Sequence, residues 1–239
     1  MGEVQSPPAS ANANAAIKAA FFDVDGVLLD SLPQHLAIAL DKSSQYGLSV
    51  RIPSVAQFRE MIAGGAVVSP MLNFFLALKF PLEFARMAVA DYQRDFQAKY
   101  RPRAFAGVEE ALGVLAHAGL KLGLVTSNTR SNTVPALGKA FRYFDPRCLF
   151  FLDSYDPPRS KQWCLTEAAQ ILGYHPQQCV YIGDQPADYQ AAAGAGCQFL
   201  GVTYGWGITA ATSGAMSADT ISEVAALLTH QGGRTHDRR

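Results

Sequence analysis

Two aspartates one residue apart, Asp23 and Asp25, follow the apolar run Ala19-Ala20-Phe21-Phe22 and precede Gly26. An unbroken apolar run of this kind reads as a strand buried on both faces of a parallel sheet, with the two acids at its end. A buried carboxylate is unfavourable unless it is paired, and a hard divalent cation can be shared by both acids while Gly26 lets the backbone turn beneath them. A second acidic group, Gly183-Asp184-Gln185-Pro186-Ala187-Asp188, follows Cys179-Val180-Tyr181-Ile182. It puts Asp184 at another strand end and Asp188 one helical turn later. Carboxylates gathered on one rim repel each other, so raised pKa values are expected in the empty site and a reversal with magnesium, which needs only two or three protein oxygens. Thr126-Ser127-Asn128, after a third apolar run, supplies a hydroxyl and backbone N–H groups suited to cradling phosphate oxygens. A cation should complete such a site. The candidates are Lys161 and Arg159, ahead of the helix that leads to the Asp184 strand.

The elements that must position these residues alternate. Strands are expected at the Phe21 run, 121–126, 148–152, 179–184 and 198–202, with helices near 108–118, 133–141, 162–172, 187–195 and 221–228. This predicts an α/β, doubly wound, five-stranded parallel sheet whose carboxyl-end rim carries all three motifs. The interval between the first strand and the next is several times longer than a crossover needs, and so implies an inserted module. Four helices are expected within it, at 33–46, 55–63, 70–80 and 82–100, punctuated by Gly47, Pro53, Gly64-Gly65 and Pro81. The expected division is a lead-in tail at 1–16, a core domain at 17–31 and 104–230, a four-helix insertion at 32–103, and a tail at 231–239.

Composition narrows the class. Apolar residues make up 49% and charged residues 17%, which is ordinary for a globular chain. Lysine plus arginine and aspartate plus glutamate are each 20, so no net field draws the chain to nucleic acid or an anionic membrane. No apolar run has the length of a membrane span, and the opening residues lack the pattern of a secretory signal. Met1-Gly2 with Ser6 fits a myristoylation pattern formally, but Glu3 argues for a plain tail. The four cysteines, Cys148, Cys164, Cys179 and Cys197, form no Cys-x-x-Cys pair and suit buried small hydrophobes in a reducing, cytoplasmic setting.

With these motifs in order, the chain resembles the haloacid dehalogenase superfamily of phosphohydrolases, in particular the phosphoglycolate phosphatase and β-phosphoglucomutase-like branch that carries a helical cap. Asp23-Val24-Asp25-Gly26 looks like its first motif, Leu124-Val125-Thr126-Ser127-Asn128 its second, and Gly183-Asp184 through Asp188 its fourth. The third motif departs from the pattern: Pro157-Pro158-Arg159-Ser160-Lys161 stands where relatives usually show Lys-Pro-x-Pro. The usual spacing falls on Arg159, whereas a compact ammonium favours Lys161. The resemblance implies a magnesium-dependent phosphatase acting on a small-molecule phosphate ester, as a monomer or homodimer. By the same resemblance, Asp23 is the nucleophile and a metal ligand, and Asp25 is the proton carrier whose main chain touches the metal. Asp184 is a further ligand, Thr126, Ser127 and Asn128 hold phosphate, Lys161 neutralises charge, and Asp188 orients Lys161 or a metal-bound water.

Substrate choice should lie in the insertion, with Gly64-Gly65-Ala66-Val67-Val68-Ser69 as the recognition loop and Gly65 its candidate contact. That loop has no Arg or Lys, so a neutral or modestly polar leaving group such as a small polyol or sugar is expected unless Arg51, Arg59 or Lys79 reaches inward. His35 reads as a helix-surface residue, with contact to the leaving group as the alternative, and Trp163 and Trp206 read as packing residues. A phosphomutase of the β-phosphoglucomutase type and a non-catalytic phosphometabolite-binding module are the rival readings. A haloalkanoate dehalogenase is disfavoured by Asp25.

Overall fold

The chain begins its regular structure with β1 (Ala19–Phe22), turns through Gly26, and forms β2 (Leu29–Asp30). The computed structural model describes residues 16–207 and 216–230, apart from the side chains of 97 and 98. The readings of residues 1–15, including Gly2, and of 231–239 therefore lie outside the described residues. Four helices follow β2: α1 (Leu32–Gln45), α2 (Val55–Ala63), α3 (Met71–Ala77) and α4 (Leu82–Lys99). The chain returns through β3 (Arg103–Ala104), antiparallel to β2, so the excursion leaves and re-enters on one short ribbon.

From there the elements alternate: α5 (Val108–His117), β4 (Lys121–Val125), α6 (Arg130–Leu137), β5 (Leu149–Phe150), α7 (Lys161–Leu172), β6 (Cys179–Gly183), α8 (Pro186–Ala195), β7 (Gln198–Val202), β8 (Met216–Ala218) and α9 (Ile221–His230). All ladders of the main sheet are parallel, in the order β5-β4-β1-β6-β7-β8. From β1 the chain winds outward to β4 and β5, then crosses back to β6 and winds the other way. The two halves part at β1 and β6, and in open α/β sheets ligands sit beyond the carboxyl ends at that point.

The described residues thus form a six-stranded sheet where five strands were expected. The added strand, Met-Ser-Ala, has no apolar run and exists only by pairing with β7, as Leu200 opposite Met216 through Val202 opposite Ala218. α3 is shorter than the interval 70–80, because Leu78 closes it and Lys79 takes a left-handed φ of 68°.

Side chains of β1 alternate between two cores. Ala20 and Phe22 join Leu122, Leu124, Ile182 and Leu200 beneath Leu112, Leu115 and Val224 of α5 and α9. Ala19 and Phe21 join Val125, Tyr181 and Phe199 beneath Leu165, Ala168 and Ala192 of α7 and α8. All four cysteines are free and buried, as expected for small hydrophobes. A third cluster fills the helical bundle with Leu36, Ile38, Phe58, Phe74, Phe75 and Phe96, and one residue from outside the bundle, Trp206, enters it. No helix among the described residues is long and apolar enough to cross a membrane.

A half-buried ion pair ties α1 to α4. The Lys42 ammonium donates to Asp91 Oδ2 at 2.7 Å and to Gln45 at 2.9 Å, while Asp91 also accepts from Tyr46 and Arg94. Hydrogen bonds from Lys42 and its neighbours hold the Asp91 carboxyl down at about 2, below its ordinary value. A lowered folded-state pKa stabilises above the unfolded value and loses that contribution as pH falls through the folded one. Asp91→Asn should lower stability by about 1–3 kcal/mol near neutral pH, since a buried ammonium loses its charged acceptor. In urea titrations the deficit should persist above pH ~4 and shrink as pH drops toward ~2.

Candidate active site

The acids of β1 and β6 meet at the rim. Asp23 is 4% exposed. Its Oδ1 accepts from its neighbour Val24 N at 2.7 Å, and its Oδ2 from Lys161 Nζ at 2.6 Å. Lys161 is the first residue of α7, whose start is set by the Ser160 hydroxyl accepting from Trp163 N. The same ammonium donates to Asp188 Oδ1 at 2.7 Å. Asp188, in the first turn of α8, uses Oδ2 to accept from the backbone N–H groups of Asp184 and Gln185 at 3.1 and 3.0 Å. Lys161 therefore takes the position left open in the sequence, while Arg159 is exposed and stacks on the Trp163 ring at 5.2 Å. Trp163 packs against Arg159 and Tyr155 at the surface, 36% exposed.

Asp184 is wholly buried. Its Oδ2 accepts from Trp206 N at 2.6 Å, and its carbonyl accepts from Gly207 N at 3.2 Å, while Oδ1 has no partner among the described residues. The space around it is made by glycines. A Cβ on Gly26, whose φ is +79°, would stand 2.0 Å from Asp184 Oδ2, and one on Gly205 would stand 2.4 Å from Asp184 Cβ.

Oxygens of Asp23, Asp184 and Asp188 converge within 4.8 Å. Burial, more than mutual repulsion, raises Asp23 to about 6 and Asp184 well above the usual carboxylate range; Lys161 pulls Asp23 down while Asp188 pushes it up. Burial alone would lower the Lys161 pKa, but Asp188 and Asp23 more than offset it, so the ammonium stays charged. Three carboxylates against one ammonium, with an orphaned buried oxygen on Asp184, make a donor set that suits a hard divalent cation. Asp23 and Asp188 each have both oxygens engaged by the protein, and of the three acids only Asp184 keeps an oxygen without a partner among the described residues. Asp25, expected to touch the metal through its main chain, turns its carboxylate toward Asn128.

Asp25 Oδ2 accepts from Asn128 Nδ2 at 2.8 Å, whereas Oδ1 is buried without a partner among the described residues. Asn128 is locked in turn: its backbone N–H donates to Thr126 Oγ1 at 3.1 Å and its Oδ1 accepts from Thr129 N at 2.8 Å. Asn128, read from sequence as a phosphate contact, thus also orients the second acid. Sequence could signal this only through the general habit of Asn to bond locally after a strand.

One cleft joins Asp23, Asp25, Thr126, Ser127, Asn128 and Lys161 to the bundle residues His35, Val68, Ser69, Met71, Tyr92 and Gln93, with Trp206 between them. His35 is not a surface residue: it is 1% exposed and caged by Phe74, Tyr92, Phe96 and Trp206. Of the expected recognition loop only Val68 and Ser69 reach the cleft, whereas Gly65 is exposed in a separate hollow with Lys79. Arg59 donates to the Tyr204 carbonyl at 2.7 Å, and Arg51 lines another surface hollow.

This sheet order, with acids at the paired strand ends and a lysine between them, is a haloacid dehalogenase arrangement in form, and residues 17–196 match the family model described as haloacid dehalogenase-like hydrolase. The chain belongs to that family and is a phosphoric monoester hydrolase. It is 31% identical over 229 residues to a phosphoglycolate phosphatase of Xylella fastidiosa, covering 91% of this chain and 93% of that one. To an N-acetylmuramic acid 6-phosphate phosphatase of Pseudomonas aeruginosa it is 30% identical, covering 80% and 83%. Its fold superposes on a haloacid dehalogenase-like family protein from Streptococcus pneumoniae with a TM-score of 0.72 at 24% identity, covering 88% and 98%.

Gly26→Ala tests the glycine-built space around Asp184. It adds a Cβ at a left-handed φ and drives it into that carboxylate, so stability should fall by about 2 kcal/mol or more. Phosphatase activity should fall with it; thermal unfolding and a p-nitrophenyl phosphate assay would read the two effects.

Proposed function

We propose that the protein is a magnesium-dependent phosphatase that hydrolyses a small phosphorylated metabolite through an aspartyl-phosphate intermediate formed on Asp23. The observation that carries this reading is the Asp23 carboxylate held against the Lys161 ammonium, in the same cleft as a second acid, Asp25, with one buried oxygen unpartnered. Phosphatase names among similar proteins support the substrate class, phosphoglycolate or a sugar phosphate.

Asp23 attacks phosphorus, the ester bond breaks, and Asp25 delivers a proton to the departing oxygen. Asn128 fixes the other oxygen of Asp25, which leaves Oδ1 to carry that proton. Water then attacks the aspartyl phosphate while Asp25 takes up its proton, and inorganic phosphate leaves. Lys161 holds Asp23 in line and offsets charge on the phosphoryl group, with Asp188 holding Lys161. Thr126 and Ser127 hold phosphate oxygens. A magnesium ion, when bound by Asp23, Asp184 and the Asp25 main chain, supplies further neutralisation of phosphoryl charge. The segment 32–103 serves as the cap, which excludes water from the cleft and meets the leaving group with His35, Ser69 and Tyr92.

Asp23→Asn should abolish p-nitrophenyl phosphate hydrolysis, and turnover retained in that variant would refute the covalent mechanism. Lys161→Met should lower kcat by about 10²–10³, as loss of one charge-stabilising group at a reacting centre does, and should lower the unfolding midpoint as well, because two buried carboxylates lose their ammonium. EDTA should stop the wild-type reaction and added magnesium should restore it, as measured by phosphate release.

A further inference from the structure

The bundle side of the cleft has an unusual hydrogen-bonding inventory. His35 Nδ1 lies 2.7 Å from the Ser31 carbonyl, which can only accept, so Nδ1 carries the hydrogen. Burial lowers the His35 pKa despite the nearby Asp25 charge, so the ring is neutral and Nε2 is an acceptor. The Tyr92 hydroxyl, 3.2 Å away, donates to it. Histidine and tyrosine therefore have their hydrogens committed to protein acceptors, and what Tyr92 still offers a ligand is an oxygen lone pair.

Trp206 is the opposite case. It is 5% exposed, its ring lies 4.8 Å from His35 and 6.2 Å from Phe58, and it lines the cleft. Its indole nitrogen, a donor only, is buried with no acceptor among the described residues. A buried indole ordinarily finds a partner, and one left without it inside a ligand cleft is matched by the ligand. Charge supplies the second constraint. Among the described residues lining the cleft the only Lys or Arg is Lys161, already bound to Asp23 and Asp188. A carboxylated leaving group would meet carboxylates and lone pairs with no cation of its own.

We propose that the Trp206 indole N–H, with the Tyr92 oxygen lining the same cleft, reads a hydroxyl on the leaving group, so that the preferred substrates are phosphate esters of hydroxylated alcohols, of the polyol or sugar class, rather than of hydroxy acids. A hydroxyl is the neutral group that both accepts and donates, and the pair presents one donor and one acceptor. This rests on the phosphatase reading of the same cleft. It makes Trp206 a specificity-determining residue, in addition to its main-chain bond to Asp184.

The test compares kcat/KM for glycerol 1-phosphate, n-propyl phosphate and 2-phosphoglycolate, in wild type and in Trp206→Phe, with magnesium present. Wild type should favour glycerol 1-phosphate over the propyl ester by about tenfold or more, because a site built around a substrate hydroxyl rejects the analogue without it. It should also favour it over 2-phosphoglycolate. In Trp206→Phe the glycerol-to-propyl ratio should move toward one. The same ratio in both proteins, or a wild-type preference for 2-phosphoglycolate, overturns the proposal. Hydrolysis of p-nitrophenyl phosphate with all three metabolites untouched overturns it while the phosphatase reading stands, whereas inactivity on every ester overturns both. If Trp206→Phe does not fold, indole NMR of the Asp23→Asn protein decides. The buried indole N–H resonance, distinguished from that of Trp163 by a Trp163→Phe variant, should shift with glycerol 1-phosphate. A resonance that stays still, or moves equally with propyl phosphate, rejects the proposal.

Discussion

The ion chain Asp23–Lys161–Asp188 is what the rest of the molecule must satisfy. A single ammonium, 2.6 and 2.7 Å from two buried carboxylates, stands against three acids whose oxygens converge within 4.8 Å. Breaking a buried pair by removing one partner is strongly unfavourable, so Lys161 cannot be dispensed with by either acid. One cation is nevertheless too few, and the remainder appears as the raised pKa values of Asp23 and Asp184 and as an oxygen of Asp184 that no described residue meets. The site is pre-formed in geometry and incomplete in charge, the condition in which a divalent ion and a phosphate can be drawn in together.

Each member of the chain comes from a different element, so tertiary packing rather than local sequence fixes the distances. Asp23 leaves the end of β1, Lys161 opens α7 and Asp188 lies in the first turn of α8. α7 and α8 pack on the same face of the sheet through Leu165, Ala168 and Ala192, and the Gln162 side chain donates to the Gly194 carbonyl at 3.0 Å. That close approach of two helices sets Lys161 beside Asp188. The parallel ladder from β1 to β6, with Phe22 opposite Ile182, then sets both beside Asp23.

Much of this was legible in the sequence because the signals are local. Apolar runs ending in acids marked β1 and β6, a long interval marked the helical excursion, and Pro and Gly punctuation located its helices. What stayed hidden depends on non-local geometry. β8 carries no hydrophobic signature of its own and is a strand only because β7 offers it an edge. The choice between Arg159, favoured by the usual spacing, and Lys161, preferred for its compact ammonium, depended on where α7 starts: it is capped at Ser160, so the ammonium reaches both acids while the guanidinium lies outside on Trp163. His35 reads as a surface position on a single helix because the rings that enclose it come from α3, α4 and the loop after β7. Gly65 was placed in the cleft by sequence order, but the turn of α2 into α3 carries Val68 and Ser69 there instead.

The loop after β7 shows why the helical bundle and the buried Asp184 carboxylate are not independent parts. Tyr204 donates to the Val27 carbonyl at 2.9 Å and accepts at its own carbonyl from Arg59 of α2, so this loop is tied to the turn after β1 and to the bundle at once. Two residues on, Trp206 holds Asp184 with its backbone N–H and places its ring among Phe58 and His35. Gly207 packs so tightly against α2 that a Cβ there would stand 2.1 Å from Ile62. A displacement of α2 large enough to open the cleft must therefore move this loop or break these contacts, and either event alters what Asp184 Oδ2 is bonded to. Cleft closure and the donor set of the rim are in this way coupled through four consecutive residues, without any contact between the bundle helices and Asp184 itself being needed.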